Sequence, residues 1–181
     1  PRSTLFPYTT LFRSAGAKSV GIETYTFSKT FNMAGWRVGF AVGNADMIAA
    51  LNLIQDHLFV SIFPAIQDAA IAALAQRKQR TDAVGQLQAV YESRRNAFIN
   101  AVRSFNWEPY VPKGAFYVLM PVPKGYTSAQ FAELLLNRAN VAVADASGFG
   151  DAGEGYVRVG LTITEDRLVE AANRIKALNL F

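Results

Sequence analysis

The 181-residue chain has no cysteine and a single histidine, His57. Without cysteine it can form neither a disulfide nor a thiolate metal site, and no set of histidines and carboxylates has metal-ligand spacing. No apolar run is long and charge-free enough to predict a membrane span. The nucleotide-binding loop that ends in Gly-Lys-Ser/Thr and the Gly-x-Ser-x-Gly turn of serine hydrolases are also missing. These absences favour a protein of a reducing compartment, the cytoplasm, with no metal site and no membrane partner.

The net charge of +4 gives little support for a nucleic-acid partner. Arg2 and Arg13 lie in an unusual leader, residues 1–14, that contains no acidic residue; the rest has 16 basic and 14 acidic residues and no basic stripe. The leader repeats Thr-Leu-Phe at 4–6 and 10–12 and lacks the apolar core of a signal peptide. We therefore interpret residues 1–14 as non-native sequence joined to a partial gene.

Helix and strand patterns alternate along the remaining chain, which is long enough to bury one sizeable core or two small ones. The long helix has Val90, Phe98 and Val102 on its apolar side, and Pro64 interrupts the helical pattern before it. This alternation predicts an α/β fold of two layers. The predicted strands are residues 19–26, 38–43, 114–121 and 156–161, and the predicted helices are 45–54 after an Asn44 cap, 65–76, 81–105, 128–135 after a Thr127 capping box with Gln130, and 165–178 after a Thr164 cap.

A glycine-containing loop between the first two predicted strands holds the residues with the clearest chemistry. Thr26 and Ser28 supply hydroxyls, Lys29 supplies an amine, and Arg37 follows the lysine by eight residues. Lysine amines form Schiff bases with carbonyl groups, and hydroxyls with an arginine can hold a phosphate. The planar fork of arginine donors suits two phosphate oxygens. The loop therefore predicts a site for a bound anionic cofactor.

Three residues near this loop are interpreted without a chemical role. Met33 and Trp36 are expected to pack, because a single methionine or tryptophan beside a loop usually fills space. His57 lies at the end of an apolar-faced helix and is expected to be a packed or capping residue. The lysine already supplies an amine for proton transfer.

The stretch from Thr26 to Gly39 resembles the lysine-bearing signature of class I/II pyridoxal-phosphate-dependent aminotransferases, which have fold type I. The resemblance implies that Lys29 holds pyridoxal 5'-phosphate (PLP) as a Schiff base and moves protons between the cofactor C4′ and the substrate Cα. It also implies that Thr26 and Ser28 contact the cofactor phosphate and that Arg37 clamps it. Serine is more usual in the family at position 26, and threonine keeps the hydroxyl.

Arg158 is a charged residue in the predicted apolar strand 156–161, where an unpaired guanidinium would be costly to bury. We therefore expect an anion to meet it. The segment 155–158 resembles the one whose arginine, in this family, forms a bidentate pair with the substrate α-carboxylate. Asp145-Ala146 stands where many relatives have Pro-Gly; the added carboxylate would either disfavour acidic substrates or face solvent.

The resemblance implies that the chain is the C-terminal half of a PLP-dependent transferase-like fold. Residues 15–79 would be the remainder of the large mixed-sheet cofactor domain, and residues 80–181 the interdomain helix and the small C-terminal α/β domain. In this family the aspartate at the pyridinium nitrogen, a ring-stacking aromatic residue and a glycine-rich phosphate loop would lie upstream.

The implied function is transfer of an amino group between an amino acid and a 2-oxoacid through a PLP Schiff base, by a homodimer in the full-length enzyme. As a partial chain, it is expected to be inactive alone. Two alternatives stay open: a non-catalytic fragment of the fold, and another fold-type-I enzyme, such as a carbon–sulfur lyase, that shares Lys29, Arg37 and Arg158. The sequence does not identify the amino acid or the oxoacid.

Overall fold

The computed structural model of the protein describes residues 14–76 and 83–181. All of the proposed non-native leader except Ser14, and the predicted domain boundary near residue 80, lie outside the described residues. The chain divides into two compact units, one ending at Gln86 and the other running from Leu87 to Phe181. Each unit is described by itself.

The N-terminal unit contains a two-stranded antiparallel sheet followed by two helices. In the sheet, Thr26 lies opposite Gly39, so residues 27–38 connect the two strands at one end. A Cβ at Gly39 would lie 2.4 Å from the Tyr25 carbonyl oxygen, and this close approach requires glycine. The elements of this unit are α1 (Ala17–Val20), β1 (Ile22–Thr26), α2 (Phe27–Thr30), a 3-10 turn (Ala34–Trp36), β2 (Gly39–Gly43), α3 (Ala45–Leu58) and α4 (Pro64–Gln76).

The first predicted strand, residues 19–26, is wrong at its beginning. Ser19 belongs to α1, and its hydroxyl donates a hydrogen bond to the Gly16 carbonyl at 2.7 Å. Gly16 has a left-handed backbone with φ of 80°, which closes the turn that starts this short helix. The strand therefore begins only after Gly21.

Helix α3 is confirmed at its start, where the Asn44 side chain accepts a hydrogen bond from the Met47 amide at 2.9 Å. Met47, Leu51 and Ile54 have the predicted helical spacing, yet their side chains are 40–49% exposed. Pro64 is the first residue of α4 rather than a break before it. The first helical position tolerates proline because its amide has no intrahelical acceptor.

The C-terminal unit is a three-stranded antiparallel sheet, in the order β3-β5-β4, with helices packed on it. Its buried core joins one face of the sheet to the helices and includes Trp107, whose indole N–H donates to the Pro121 carbonyl at 2.8 Å. The predicted α/β fold is therefore confirmed. The elements are α5 (Ala83–Arg103), β3 (Tyr117–Pro121), α6 (Ser128–Leu134), a π-helical turn (Leu135–Ala139), β4 (Ala144–Asp145), two 3-10 turns (Ser147–Phe149 and Asp151–Gly153), β5 (Tyr156–Gly160) and α7 (Glu165–Lys176).

Two of the predicted elements in this unit need correction. The long helix ends at Arg103, before the predicted residue 105, and Val90 on it is 44% exposed, whereas Phe98 and Val102 are buried as expected. The strand predicted from residue 114 begins only at Tyr117. Ala115 has a left-handed backbone with φ of 68°, which is incompatible with an extended strand.

The two predicted threonine caps have different outcomes. Thr127 is confirmed as part of a capping box: its hydroxyl accepts from the Gln130 amide, and the Gln130 side chain accepts from the Thr127 amide. Thr164 occupies the N-cap position of α7 without a capping bond from its side chain. It bonds to the Asp166 side chain instead, which lowers the pKa of that carboxyl group.

Candidate active site

The lysine-bearing loop, residues 27–38, is closed by backbone hydrogen bonds at its base. The Phe27 amide donates to the Val38 carbonyl at 3.2 Å, and the Met33 amide donates to the Phe27 carbonyl at 3.3 Å. Phe27, Met33 and Val38 are buried together with Ala70 in the core of the N-terminal unit. These apolar anchors fix the two ends and the middle of the loop.

The predicted packing role is confirmed for Met33 and wrong for Trp36. Met33 is buried in the small core, whereas Trp36 is 48% exposed in the 3-10 turn. The turn places Trp36 beside Gly35, where an added Cβ would meet no other atom within 4 Å. The Trp36 side chain is therefore not covered by the small core of the N-terminal unit.

Thr26 organises the beginning of α2 through both hydrogen-bonding roles of its hydroxyl. The Thr26 Oγ1 accepts from the Ser28 amide at 3.1 Å, which caps the helix, and donates to the Ser28 Oγ at 2.9 Å. The two predicted hydroxyls thus lie in direct contact. Lys29 follows Ser28 directly, in the same short helix, with an exposed side chain.

Arg37 lies at the other end of the loop in an uncommon backbone conformation. Its φ of 51° is left-handed, and its Nη1 donates to the Ala34 carbonyl at 3.1 Å. A left-handed conformation costs an ordinary residue about 1–2 kcal/mol, so it persists only where the surroundings impose it. Because Phe27 and Val38 are hydrogen-bonded, their chain neighbours Ser28 and Arg37 are brought to the same base of the loop.

The charge of this loop has one sign. Residues 26–38 contain the cations Lys29 and Arg37 and no acidic residue. Two hydroxyls in contact, an arginine fork and an amine form a set of donors that suits a phosphate group and a carbonyl carbon. The chemistry of the set therefore fits a phosphorylated aldehyde such as PLP.

Arg158 differs from the expectation drawn from its strand. Its neighbours Val157 and Val159 are buried, so Arg158 belongs to the opposite face of β5 and is half-buried rather than enclosed in the core. Its guanidinium carbon lies 4.2 Å from the ring centroid of Tyr117 and 4.1 Å from that of Phe149. The sequence analysis did not single out these two rings. They shield the Arg158 guanidinium from part of the surrounding water and attract its charge.

Asp145 has a structural contact that neither of the two sequence-based alternatives included. Its carboxylate accepts a hydrogen bond from the Ser147 amide at 2.8 Å, and the residue is half-buried at the end of β4. This is the turn that aspartate side chains commonly form with the backbone two residues on. The Asp145 carboxylate therefore stabilises the turn that begins at its own residue.

His57 is exposed and bonds to its own helix, so the expected packing or capping role is wrong. Its Nδ1 lies 2.8 Å from the Leu53 carbonyl oxygen, one turn earlier in α3. Leu53 is not among the last four residues of α3, so this contact does not cap a free carbonyl group of the helix end. It gives no indication of a catalytic base.

Sequence reasoning missed a polar pair on β1. The Tyr25 hydroxyl donates to Glu23 Oε2, and this bond raises the pKa of Tyr25. The other carboxylate oxygen, Glu23 Oε1, is buried without a hydrogen-bond partner among the described residues. Residues two apart on a strand share a face, so the strand prediction contained the signal for this pair.

No helix in the described ranges, residues 14–76 and 83–181, is long and apolar enough to cross a membrane. The same residues contain no group of three or more histidine, aspartate or glutamate side chains that could hold a metal ion.

Comparison with known proteins gives consistent matches to aminotransferases. L-glutamine–4-(methylsulfanyl)-2-oxobutanoate aminotransferase of Bacillus subtilis (strain 168) is 59% identical over 93% of this chain and 42% of its own length. LL-diaminopimelate aminotransferase of Moorella thermoacetica is 43% identical over 91% of this chain and 41% of its own length. The apo-BacF structure from Bacillus subtilis superposes with a TM-score of 0.84 and 42% identity, over 92% of this chain and 42% of that chain.

The chain thus spans about 42% of the length of these relatives. The family model described as "Aminotransferase class I and II" matches residues 6–175, nearly the whole chain. Enzymes of this class are PLP-dependent. The chain belongs to the class I and II aminotransferase family.

Proposed function

We propose that the protein takes part in amino-group transfer between an amino acid and a 2-oxoacid, with PLP as cofactor and Lys29 as the residue that holds it. The observation that carries the proposal is the lysine-bearing loop, where an amine, two hydroxyls in contact and a guanidinium are held between paired strands. Family membership over residues 6–175 supports the same conclusion.

Each side chain of the loop has a role suited to its chemistry. Lys29 Nζ would attach covalently to the aldehyde carbon, and the Thr26 and Ser28 hydroxyls would contact the phosphate, with Ser28 free to donate while Thr26 donates to Ser28. Arg37 would place its planar fork on two phosphate oxygens, which a lysine could not do with the same geometry. The left-handed backbone of Arg37 is consistent with a residue held in place for such a contact.

Bound PLP supplies an electron-poor ring that stabilises negative charge at the substrate Cα. Once the substrate amino group has displaced it from the aldehyde carbon, Lys29 Nζ would be free to take the proton from that Cα and return it at the cofactor C4′. Such a base works only when its amine is held within hydrogen-bond reach of the carbon, and the backbone hydrogen bonds that close the base of the loop support this role by restraining the chain around Lys29. Arg158 would bind the substrate α-carboxylate through two parallel N–H···O bonds and so orient the Cα–H bond.

The substrates to test first are proposed from the name of one relative. The relative that is 59% identical is named for L-glutamine and 4-(methylsulfanyl)-2-oxobutanoate, and this pair is the first to test. We also propose that the functional enzyme is a cytoplasmic homodimer. Sedimentation of the protein purified without a tag would distinguish a dimer from a monomer.

The proposal is tested by finding which lysine reacts with PLP. The protein is incubated with PLP, reduced with borohydride and digested, and the modified peptides are identified by mass spectrometry. We expect the Lys29 peptide to carry the label preferentially, and Arg37→Ala to reduce that label. The control Lys18→Ala removes a lysine of the same unit outside the loop and should leave Lys29 labelling unchanged.

Labelling spread evenly over the lysines, or Lys29 labelling unaffected by Arg37→Ala, would contradict the assignment. A second measurement, on the protein extended by the upstream residues that its relatives have, follows oxoacid formation from L-glutamine, with Lys29→Ala as the inactive comparison. Release of ammonia or a thiol in proportion to substrate consumed, without amino-group transfer, would favour the lyase alternative instead.

A further inference from the structure

Two aromatic rings hold the guanidinium of Arg158. The guanidinium carbon is 4.2 Å from the Tyr117 centroid and 4.1 Å from the Phe149 centroid. Among the described residues the structure gives Arg158 neither a salt bridge nor a hydrogen bond from its side chain. The ring contacts are therefore what orients this cation.

We infer that Tyr117 and Phe149 are positioning residues, which fix the Arg158 guanidinium so that its N–H groups are available to a carboxylate. The inference rests on the proposed function, in which Arg158 binds the substrate carboxylate. A ring beneath a guanidinium attracts its charge without consuming its in-plane N–H donors. An arginine side chain has many rotamers, and orienting it beforehand reduces the entropic cost of ordering it on binding.

Tyr117 reaches Arg158 across a glycine. Tyr117 lies opposite Gly160 in the β3–β5 pair, and Gly160 is two residues beyond Arg158 on the same face. The tyrosine ring passes over this position, with its Cε1 3.9 Å from where a Cβ of Gly160 would be. Diagonal cross-strand neighbours are within reach of an aromatic side chain, and the glycine leaves the path open.

Phe149 is held by its turn rather than by the core. The ring is 64% exposed, which is unusual for a phenylalanine that burial alone would place. The Asp145 carboxylate accepts from the Ser147 amide, and the Phe149 amide donates to the Ala146 carbonyl at 3.0 Å. Asp145 therefore affects Arg158 indirectly, because the turn that its carboxylate stabilises sets the position of the Phe149 ring.

The close packing of Gly153 completes this turn. A Cβ at Gly153 would lie 1.9 Å from the Ala146 carbonyl oxygen, so any larger residue must push the two segments apart. Glycine at this position lets the chain after Phe149 fold back against Ala146. The exposed ring is therefore fixed on Arg158 by a turn built from Asp145 and Gly153.

The test compares Phe149→Leu and Tyr117→Leu with the conservative variants Phe149→Tyr and Tyr117→Phe. The first readout is the side-chain Nε–H resonance of Arg158 in NMR spectra, assigned with Arg158→Lys, because rings near a guanidinium shift this signal. The second is the affinity for acetate, a carboxylate probe without an amino group, from a titration of the same resonance. Tyr126→Leu is the matched control, because it removes a partly exposed ring of the same unit that contacts Phe131 instead of Arg158.

We expect each leucine variant to move the Arg158 signal and to weaken acetate binding about three- to tenfold, the size of a partly desolvated cation–π contact. Phe149→Tyr and Tyr117→Phe should keep the wild-type Arg158 signal and acetate affinity, and Tyr126→Leu should change neither. In the active enzyme the same leucine variants should raise KM for the amino acid with little effect on kcat.

The inference is overturned if the leucine variants keep the wild-type signal and acetate affinity, or if acetate does not perturb Arg158 at all. Its failure can be told apart from failure of the proposed function, because that function is read at Lys29. Selective Lys29 labelling with unaltered behaviour of Phe149→Leu would reject the positioning role alone. Absent Lys29 labelling with the expected Arg158 shifts would reject the cofactor assignment alone.

Discussion

The two compact units bury their apolar side chains to very different extents. The C-terminal unit has a core cluster of 15 buried residues from its helices, one face of its sheet and the segments that connect them. The corresponding cluster has four buried residues among those that the structure describes in the N-terminal unit. Much of the apolar surface of α3, α4 and the segment between them is exposed: Met47, Leu51, Leu53, Ile54, Leu58, Phe59, Phe63, Ile71 and Leu74.

The difference teaches that periodicity predicts a helix face without predicting what covers it. The spacing of Met47, Leu51 and Ile54 on α3 is as regular as that of Phe98 and Val102 on α5, and both helices form. Only the second face is buried. The folded structure of the N-terminal unit therefore depends more on strand pairing and on the hydrogen bonds that close its loop. The folded structure of the C-terminal unit depends more on apolar packing.

The largest expected effect comes from opening the larger core. Phe131→Ala removes a fully buried ring that packs edge-on against Trp107, with centroids 5.8 Å apart. We expect the C-terminal unit to lose about 3–5 kcal/mol of unfolding free energy, as for other buried aromatic truncations. Urea unfolding followed by Trp107 fluorescence, in a Trp36→Phe background, measures the loss.

Leu136→Ala is the matched control for this core variant, because Leu136 lies near the same helix with half of its side chain exposed. It should change stability by less than about 1 kcal/mol. Equal losses for the two variants would contradict the view that this unit depends on its buried core.

The next effect concerns backbone pairing in the N-terminal unit. Gly39→Ala would place a Cβ 2.4 Å from the Tyr25 carbonyl and separate the strands that flank the lysine-bearing loop. We expect the β1–β2 amides to lose about 1–3 kcal/mol of protection, the usual cost of overpacking. Hydrogen exchange of the Phe27 amide, which bonds to Val38, reports the loss directly.

Gly35→Ala tests whether the effect is specific to close approach. Apart from its chain neighbours, no described atom lies within 4 Å of a Cβ at Gly35, and its φ is outside the left-handed range. This variant should leave exchange and Lys29 labelling unchanged. A similar loss of protection in both variants would indicate general sensitivity of the loop to substitution rather than strand separation.

Much of the fold could be predicted from local signals, and the misses have physical causes. Asn44 and the Thr127 capping box were readable because a cap depends on residues a few positions apart. The start of β3 was missed because the left-handed backbone of Ala115 leaves no mark in an apolar run. The alternation along β5 contained the signal that Arg158 faces away from Val157 and Val159, but the strand was interpreted as apolar throughout.

For the candidate site, Thr26, Ser28, Lys29 and Arg37 could be chosen from sequence because they are close along the chain. Their assignment to PLP stays a prediction that the labelling experiment tests. Tyr117 and Phe149 could not be chosen, because they meet Arg158 only through strand register and a distant turn. Nothing in their local sequence distinguishes them from packing residues.

A smaller effect is expected from the helix caps, which have similar chemistry in the two units. Asn44→Ala and Thr127→Ala each remove a side-chain oxygen that accepts from a first-turn amide. We expect about 1 kcal/mol of lost protection in the first turn of each helix. Thr164→Ala, at a position without a capping bond, should cost less; an equal cost would mean that the cap hydrogen bond is not what stabilises these helix ends.

The smallest expected effect is a change in acid sensitivity at the start of α7. The Thr164 hydroxyl, followed by backbone amides and Arg167, lowers the pKa of Asp166 below its ordinary value. A carboxyl group whose pKa is lower in the folded state stabilises folding above its unfolded pKa, and this contribution is lost as the pH falls through the folded value. Asp166→Asn should therefore flatten the decline in stability below about pH 4, measured as urea midpoints across a pH series.

Glu165→Gln neutralises the neighbouring carboxylate in the same first turn and is the control for general helix-dipole effects. Thr164→Val keeps the size of the side chain and removes the hydroxyl, so it should reproduce the flattening seen with Asp166→Asn. Parallel pH curves for wild type, Asp166→Asn and Thr164→Val would show that the contact does not contribute. Because this contact is solvent-exposed, high salt should reduce the difference between the variants, whereas the Phe131→Ala loss in the buried core should not depend on salt in the same way.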